Sequence, residues 1–106
     1  MAVYKNIVNT EVNNLITKVD RSGKQNDGNI SSIHISNNLP VAAVVDLYLE
    51  DHTDSNIKYY LLNSLNIPGN VSLTLDNNVA FRVSKFKLDI RANEGSTTPG
   101  LSVIIK

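Results

Sequence analysis

Ser31-Ser32-Ile33-His34-Ile35-Ser36-Asn37-Asn38-Leu39-Pro40 runs directly into Val41-Ala42-Ala43-Val44-Val45-Asp46-Leu47-Tyr48-Leu49-Glu50. In the first piece Ile33 and Ile35 alternate with Ser32, His34 and Ser36, the period-two pattern of a half-buried strand. Asn37-Asn38-Leu39-Pro40 then breaks the pattern as a turn. The second piece puts Val41, Ala43, Val45, Leu47 and Leu49 on one face and Ala42, Val44, Asp46, Tyr48 and Glu50 on the other. It reads as a long strand whose second face turns polar toward its end, and the two pieces are expected to be hairpin partners.

The same alternation recurs on the C-terminal side. Ile57 to Leu62 is rich in strand formers, and Ile67-Pro68-Gly69-Asn70 is a turn in which Pro presets φ and Gly tolerates a positive one. Val71, Leu73 and Leu75 oppose Ser72, Thr74 and Asp76, and Asp76-Asn77-Asn78 turns the chain again. Val79, Phe81 and Val83 suggest a short strand, and Phe86, Leu88, Ile90 and Ala92 alternate against Lys85, Lys87, Asp89 and Arg91. Residues 93–100 form a small, polar loop before Leu101-Ser102-Val103-Ile104-Ile105-Lys106, a last strand. Short strands that each have one apolar face can bury it only in pairs of packed sheets. The expected class is therefore all-β, an antiparallel β-sandwich of jelly-roll or immunoglobulin-like type with about seven to eight strands.

Toward the N-terminus the pattern is mixed. Val8, Val12, Leu15, Ile16 and Val19 sit at helical spacing, but Asn6, Asn9, Asn13 and Asn14 are poor helix formers, so residues 2–19 read as extended. Residues 20–29 hold no apolar side chain and read as a polar loop or hinge. Residues 1–29 are thus an N-terminal extended arm, or a first strand plus polar loop, and residues 30–106 the β-sandwich domain. First strand is the preferred of the two.

The 106 residues are 42% hydrophobic, 19% charged and 6% aromatic, enough for one core without disulfide or metal support. Ten Lys and Arg balance ten Asp and Glu, which removes the basic footprint of a nucleic-acid binder. The absence of cysteine excludes disulfide scaffolds, thiolate metal sites and Cys nucleophiles together. No basic cluster followed by an apolar stretch opens the chain and no window approaches a membrane span, so a soluble product made in a cytoplasm, without a membrane partner, is expected. The 15 asparagines supply turns and neutral surface and no catalytic group.

Residues that could carry chemistry are few. Asp51, His52 and Asp54 form the one acidic cluster, but they lack the spacing of a calcium loop and read as a solvated turn. His34 reads as an outward residue beside Ser32 and Ser36. No Gly-x-Ser-x-Gly, Walker loop or Gly-x-Gly-x-x-Gly occurs, so neither enzyme activity nor a cofactor nor a metal is expected. The sequons at Asn29 and Asn70 read as incidental in so Asn-rich a chain. Of the tyrosines, Tyr59 and Tyr60 should face opposite sides of one strand, one in the core and one exposed, while Tyr48 lies on a polar face. An exposed Tyr here suits a protein contact better than a sugar platform.

In order, Ile30-Ser31-Ser32-Ile33-His34-Ile35-Ser36-Asn37, Val45-Asp46-Leu47-Tyr48-Leu49-Glu50-Asp51, Tyr59-Tyr60-Leu61-Leu62, Ile67-Pro68-Gly69, Leu73-Thr74-Leu75-Asp76, Phe86-Lys87-Leu88-Asp89-Ile90 and Ser102-Val103-Ile104-Ile105-Lys106 form a succession. Across residues 30–106 it resembles small virion proteins of tailed phages, of the type found in phages of marine cyanobacteria and their relatives. The resemblance implies a non-enzymatic virion structural protein, first a capsid decoration or cement subunit on the assembled head, alternatively a neck, tail or baseplate subunit. Its implied partners are other virion proteins, the major capsid protein or tail and neck proteins, on a homo-oligomeric or symmetric lattice.

Assembly is expected to run through the N-terminal segment and an edge strand at Leu101 to Lys106. The candidate interface residues are Tyr4, Ile7, Val12, Tyr48, Tyr60, Val103 and Ile105. Deleting residues 2–28 is expected to leave the sandwich folded but to stop incorporation into particles. A function of another class, a carbohydrate- or ligand-binding module, would use Tyr48 and Tyr60.

Overall fold

The computed structural model describes residues 3–7, 12–17, 28–76, 78–93 and 100–106. Their strands are β1 (Val3–Ile7), β2 (Asn13–Ile16), β3 (Asn29–Ile30), β4 (Ile33–Asn37), β5 (Ala43–Asp51), β6 (Lys58–Ile67), β7 (Ser72–Leu75), β8 (Val79–Ala80), β9 (Phe86–Ala92) and β10 (Leu101–Ile105). No helix occurs among the described residues.

The pairing is nested. β5 pairs with β6, β4 with β7, β3 with β8, β2 with β9 and β1 with β10, all antiparallel, so the two halves of the chain form one long hairpin with its apex between β5 and β6. Two further ladders, β4 with β10 and β5 with β9, roll that hairpin onto itself. The result is a first sheet ordered β1-β10-β4-β7, a second ordered β2-β9-β5-β6, and the small ribbon β3-β8. Eight strands wound this way into two antiparallel sheets make a jelly roll. The expected all-β sandwich is present. Of its two candidate connections the rolled one is found, because successive strands alternate between sheets everywhere except at β5–β6.

That alternation corrects the expected hairpin of β4 with β5: the two lie in opposite sheets, β4 between β10 and β7 and β5 between β9 and β6. The connection bends around Asn37, whose side chain is 1% exposed. Its Nδ2 donates to the carbonyls of Val41 (2.9 Å) and Ile67 (3.0 Å), and its Oδ1 accepts from the Leu39 N–H at 3.1 Å. The β6–β7 turn closes against the same bend. Asn70, at φ 61°, donates its N–H to the Leu39 carbonyl at 3.0 Å, and a Cβ on Gly69 would come within 2.5 Å of the Pro40 carbonyl carbon. A buried amide that serves two loops turns the chain from one sheet to the other instead of back along its own.

The first segment contributes one edge strand to each sheet, β1 and β2, and buries Ile7, Leu15 and Ile16. Removing residues 2–28 would strip both edges and part of the core, so that deletion does not leave the sandwich intact. The polar stretch 20–29 lies outside the described residues up to residue 27. β10 is an interior strand between β1 and β4, not an edge. The strand expected over 79–83 is only Val79–Ala80, because Val83 to Lys85 form a turn that leads into β9.

Between the sheets pack Ile7, Ile33, Ile35, Leu101, Val103 and Ile105 from the first and Ile16, Ala43, Val45, Leu47, Leu88 and Ile90 from the second. Each of the larger side chains removed from water contributes about 1.5–3 kcal/mol before chain entropy is counted. The edges are blunted in different ways. On β1, Lys5 pairs with buried Val103 and so takes the inward parity, a charge that discourages a further strand. On β6, the register to β5 slips between Val45 and Leu47 and again between Leu47 and Tyr48. Ser64 takes φ 54° at the first slip and donates its N–H to Asp46 Oδ1 at 2.7 Å.

Replacing Asn37 with Ala strips donors from buried carbonyls in two loops. It should lower unfolding free energy by about 2–3 kcal/mol in urea titration with an unchanged m value, whereas an exposed asparagine such as Asn66 changed to Ala should stay within about 0.5 kcal/mol.

Candidate functional site

The outer face of the first sheet carries a hydrogen-bonded row of neutral side chains. Register aligns Asn6, Ser102, Ser36 and Ser72 across its four strands. Ser102 Oγ donates to Asn6 Oδ1 (3.3 Å), Asn38 Nδ2 to Ser102 Oγ (2.8 Å), Ser36 Oγ to Asn38 Oδ1 (3.1 Å) and Ser72 Oγ to Ser36 Oγ (3.2 Å). The next row is Tyr4, Ile104, His34 and Thr74, with His34 Nδ1 3.0 Å from Thr74 Oγ1. His34 points outward between Ser32 and Ser36, as its alternation requires.

The outer face of the second sheet is different in kind. Register sets Tyr48 of β5 between Tyr60 of β6 and Asp89 of β9, and sets Glu50 between Lys58 and Lys87. Glu50 forms ion pairs with Lys87 at 3.1 Å and Lys58 at 3.8 Å. The Tyr48 and Tyr60 rings lie 5.3 Å apart at 54°, and the Lys58 ammonium stands 5.5 Å from the Tyr48 ring centre. Tyr48 is 4% exposed although it occupies a solvent-side position. Beside it Asp89 is fully buried, and neither of its carboxylate oxygens has a hydrogen-bond partner.

An unpartnered buried carboxylate favours its neutral form. Burial pushes the Asp89 carboxyl up to about 6; Lys87, His52 and Lys58 pull against that shift and Glu50 adds to it. The Tyr48 phenol is pushed up to about 12, first by burial and then by Asp89, Glu50 and Tyr60, with Arg91 opposing. Asp89 thus contributes to the rise of Tyr48, while its own shift comes from burial and Glu50.

Apolar exposure concentrates beside this face, on the first half of β6. Ile57 is 40% exposed, Tyr59 60% and Tyr60 48%. The two tyrosines do point to opposite sides, since Tyr60 pairs with outward Tyr48 and Tyr59 with Leu49. The expectation that one is core fails: both lie at the start of the edge strand β6 and both are exposed. Tyr59 instead packs edge-on against Phe86 with ring centres 5.7 Å apart.

Of the interface residues expected from the sequence, Tyr4, Val12 and Tyr60 are exposed and lie on three different strands or their approaches. Ile7, Val103 and Ile105 are corrected to the core, because the odd positions of β1 and β10 face the other sheet. Tyr48 is corrected to a covered position under Tyr60 and Lys58. The acidic turn is self-contained. Asp51 accepts the N–H and hydroxyl of Thr53, both at 2.8 Å, which hold its carboxyl below the usual range, and His52 Nε2 donates to the Val83 carbonyl at 2.9 Å. Among the described residues no group of three or more His, Asp or Glu could hold a metal ion, and no helix is long and apolar enough to cross a membrane.

Asp89 had not stood out in the sequence, where it is one polar residue among Lys85, Lys87 and Arg91. Its singularity comes from its neighbours across the ladder. Comparison with protein-family models, curated proteins and solved structures finds no match to the chain.

A carboxyl whose folded-state pKa is raised stabilises the fold fully below its unfolded value near 3.8 and loses that contribution as pH rises through about 6. The thermal midpoint should therefore fall between pH 4 and pH 7. Asp89→Asn should raise it at pH 7 by on the order of 5 °C and leave it nearly unchanged at pH 4, as read by calorimetry.

Proposed function

We propose that the chain is a non-enzymatic structural subunit of a phage particle, a decoration subunit on the assembled head in the first instance and a neck, tail or baseplate subunit in the second. It binds other virion proteins through the free edge of β6. The observation that carries this is the group Ile57, Tyr59 and Tyr60, three large exposed side chains within four residues at the start of the edge strand β6, Ile57 immediately preceding it. Aromatic side chains on a rigid strand anchor protein contacts at little entropic cost. Repeated on a symmetric lattice, one modest contact per subunit combines into firm attachment.

Two further considerations support the proposal. The segments of residues 30–106 resemble small tailed-phage virion proteins, and the jelly roll is an architecture that capsid and lectin domains both use. The sugar-binding alternative relied on Tyr48 and Tyr60 as a platform. With Tyr48 covered, Tyr60 stands alone on that face, which favours a protein partner.

The double substitution Tyr59→Ser, Tyr60→Ser should keep the far-ultraviolet circular dichroism of the wild type and cut the copies incorporated per particle at least tenfold. Undiminished incorporation would refute docking through β6. Quantitative mass spectrometry of particles separates the two positions: hundreds of copies place the subunit on the head, tens or fewer on the neck or tail.

A further inference from the structure

We infer that Asp89 makes the seating of strand β2 on β9 depend on pH, so that β2 is held when the carboxyl is protonated and opens when it is ionised. The inference is independent of the partner proposed above.

The geometry singles out β2. Asp89 is fully buried with both oxygens unpartnered, and its registered neighbours are Tyr48 on β5 and Asn14 on β2. An ionised carboxylate there must either recruit donors or reach water. On the β5 side neither is easy, since the ladder runs unbroken from Val45–Ala92 to Asp51–Phe86 and β5 is itself flanked by β6. On the β2 side the ladder is short and irregular: Asn13 with Ile90, Asn14 with Asp89, then a slip before Ile16 with Leu88. β2 is also an edge strand of this sheet among the described residues. Opening around Asp89 follows the more weakly held of the two strands that flank β9, and that strand is β2.

The charges that face Asp89 define the response. From β9 come Lys87 and Arg91, from β5 Tyr48 and Glu50, from β6 Lys58 and from the β5–β6 loop His52. Lys87 and Lys58 are already engaged by Glu50 at 3.1 and 3.8 Å, and His52 Nε2 by the Val83 carbonyl, so these three groups are committed elsewhere. β2 itself, Asn13–Ile16, carries no ionisable side chain. When β2 opens, the carboxylate gains water and recovers an ordinary pKa. The opening equilibrium then rises by up to tenfold per pH unit between about 4 and 6 and levels off above, roughly a hundredfold in all.

Residue-resolved amide hydrogen exchange on the full chain, corrected for intrinsic rates, tests this from pH 4 to pH 7.5. The expected result is that amides of β2 exchange faster than those of β5 and β10 at every pH. Their opening constant should climb through pH 4 to 6, and the climb should vanish in Asp89→Asn or, if that variant folds poorly, in Asp89→Leu. Equal protection of β2 and β10 would overturn the inference, because opening would then be global. A flat β2 profile in the wild type, which needs no variant to interpret, or a climb that persists without the carboxyl, would overturn it equally.

Discussion

The ladder between β5 and β9 is the constraint on which the molecule depends. Without it the chain is a long nested hairpin, β1 with β10 through β5 with β6, whose apolar faces have nothing to pack against. Joining β5 to β9, with the matching β4–β10 ladder in the other sheet, rolls that hairpin so that its two apolar faces meet. The loop-closure cost is large because β5 and β9 are far apart in sequence, and the return is the whole inter-sheet core. Asn93 extends the ladder beyond its last pair: its Oδ1 accepts the Val44 N–H at 2.7 Å and its N–H donates to the Val44 carbonyl at 3.0 Å.

The same ladder creates a stressed place beneath the outer face of the second sheet. It sets Tyr48 beside Asp89, so a strand that is well made on its inner face leaves an unsatisfied carboxylate on its outer one. The opposite sheet shows what a relaxed outer face looks like, with Asn6, Ser102, Asn38, Ser36 and Ser72 hydrogen-bonded in sequence across the strands. The second sheet's outer face differs in holding a buried carboxyl with no hydrogen-bond partner. The exposed aromatic group on β6 borders the face with the buried carboxyl.

Much of the strand content was legible because alternation is local. Ile33 and Ile35, Val45 and Leu47, Leu88 and Ile90 each declare an inward face without knowledge of what packs on it. The asparagine surplus also made sense at the breaks, where Asn37, Asn70 and Asn93 serve turns that need a side-chain amide or a left-handed backbone. The candidate site was much less legible. Val103 and Ile105 show the same strand pattern whether β10 is an edge or the middle of a sheet, and only pairing with both β1 and β4 makes them core.

Alternation and turn chemistry in the sequence by themselves determined an antiparallel sandwich, the approximate positions of its strands and the lack of a recognisable catalytic or metal motif. Tertiary structure alone decided that β4 and β5 part into opposite sheets, that Tyr48 is covered while Tyr59 is not, and that Asp89 has no partner. The physical reason is that a strand's own residues specify which side faces inward, whereas its neighbours are specified by the energy of ladders closed between distant segments. A polar side chain's fate depends on those neighbours, so the same Asp that reads as an ordinary surface residue along the chain becomes a buried charge across the sheet.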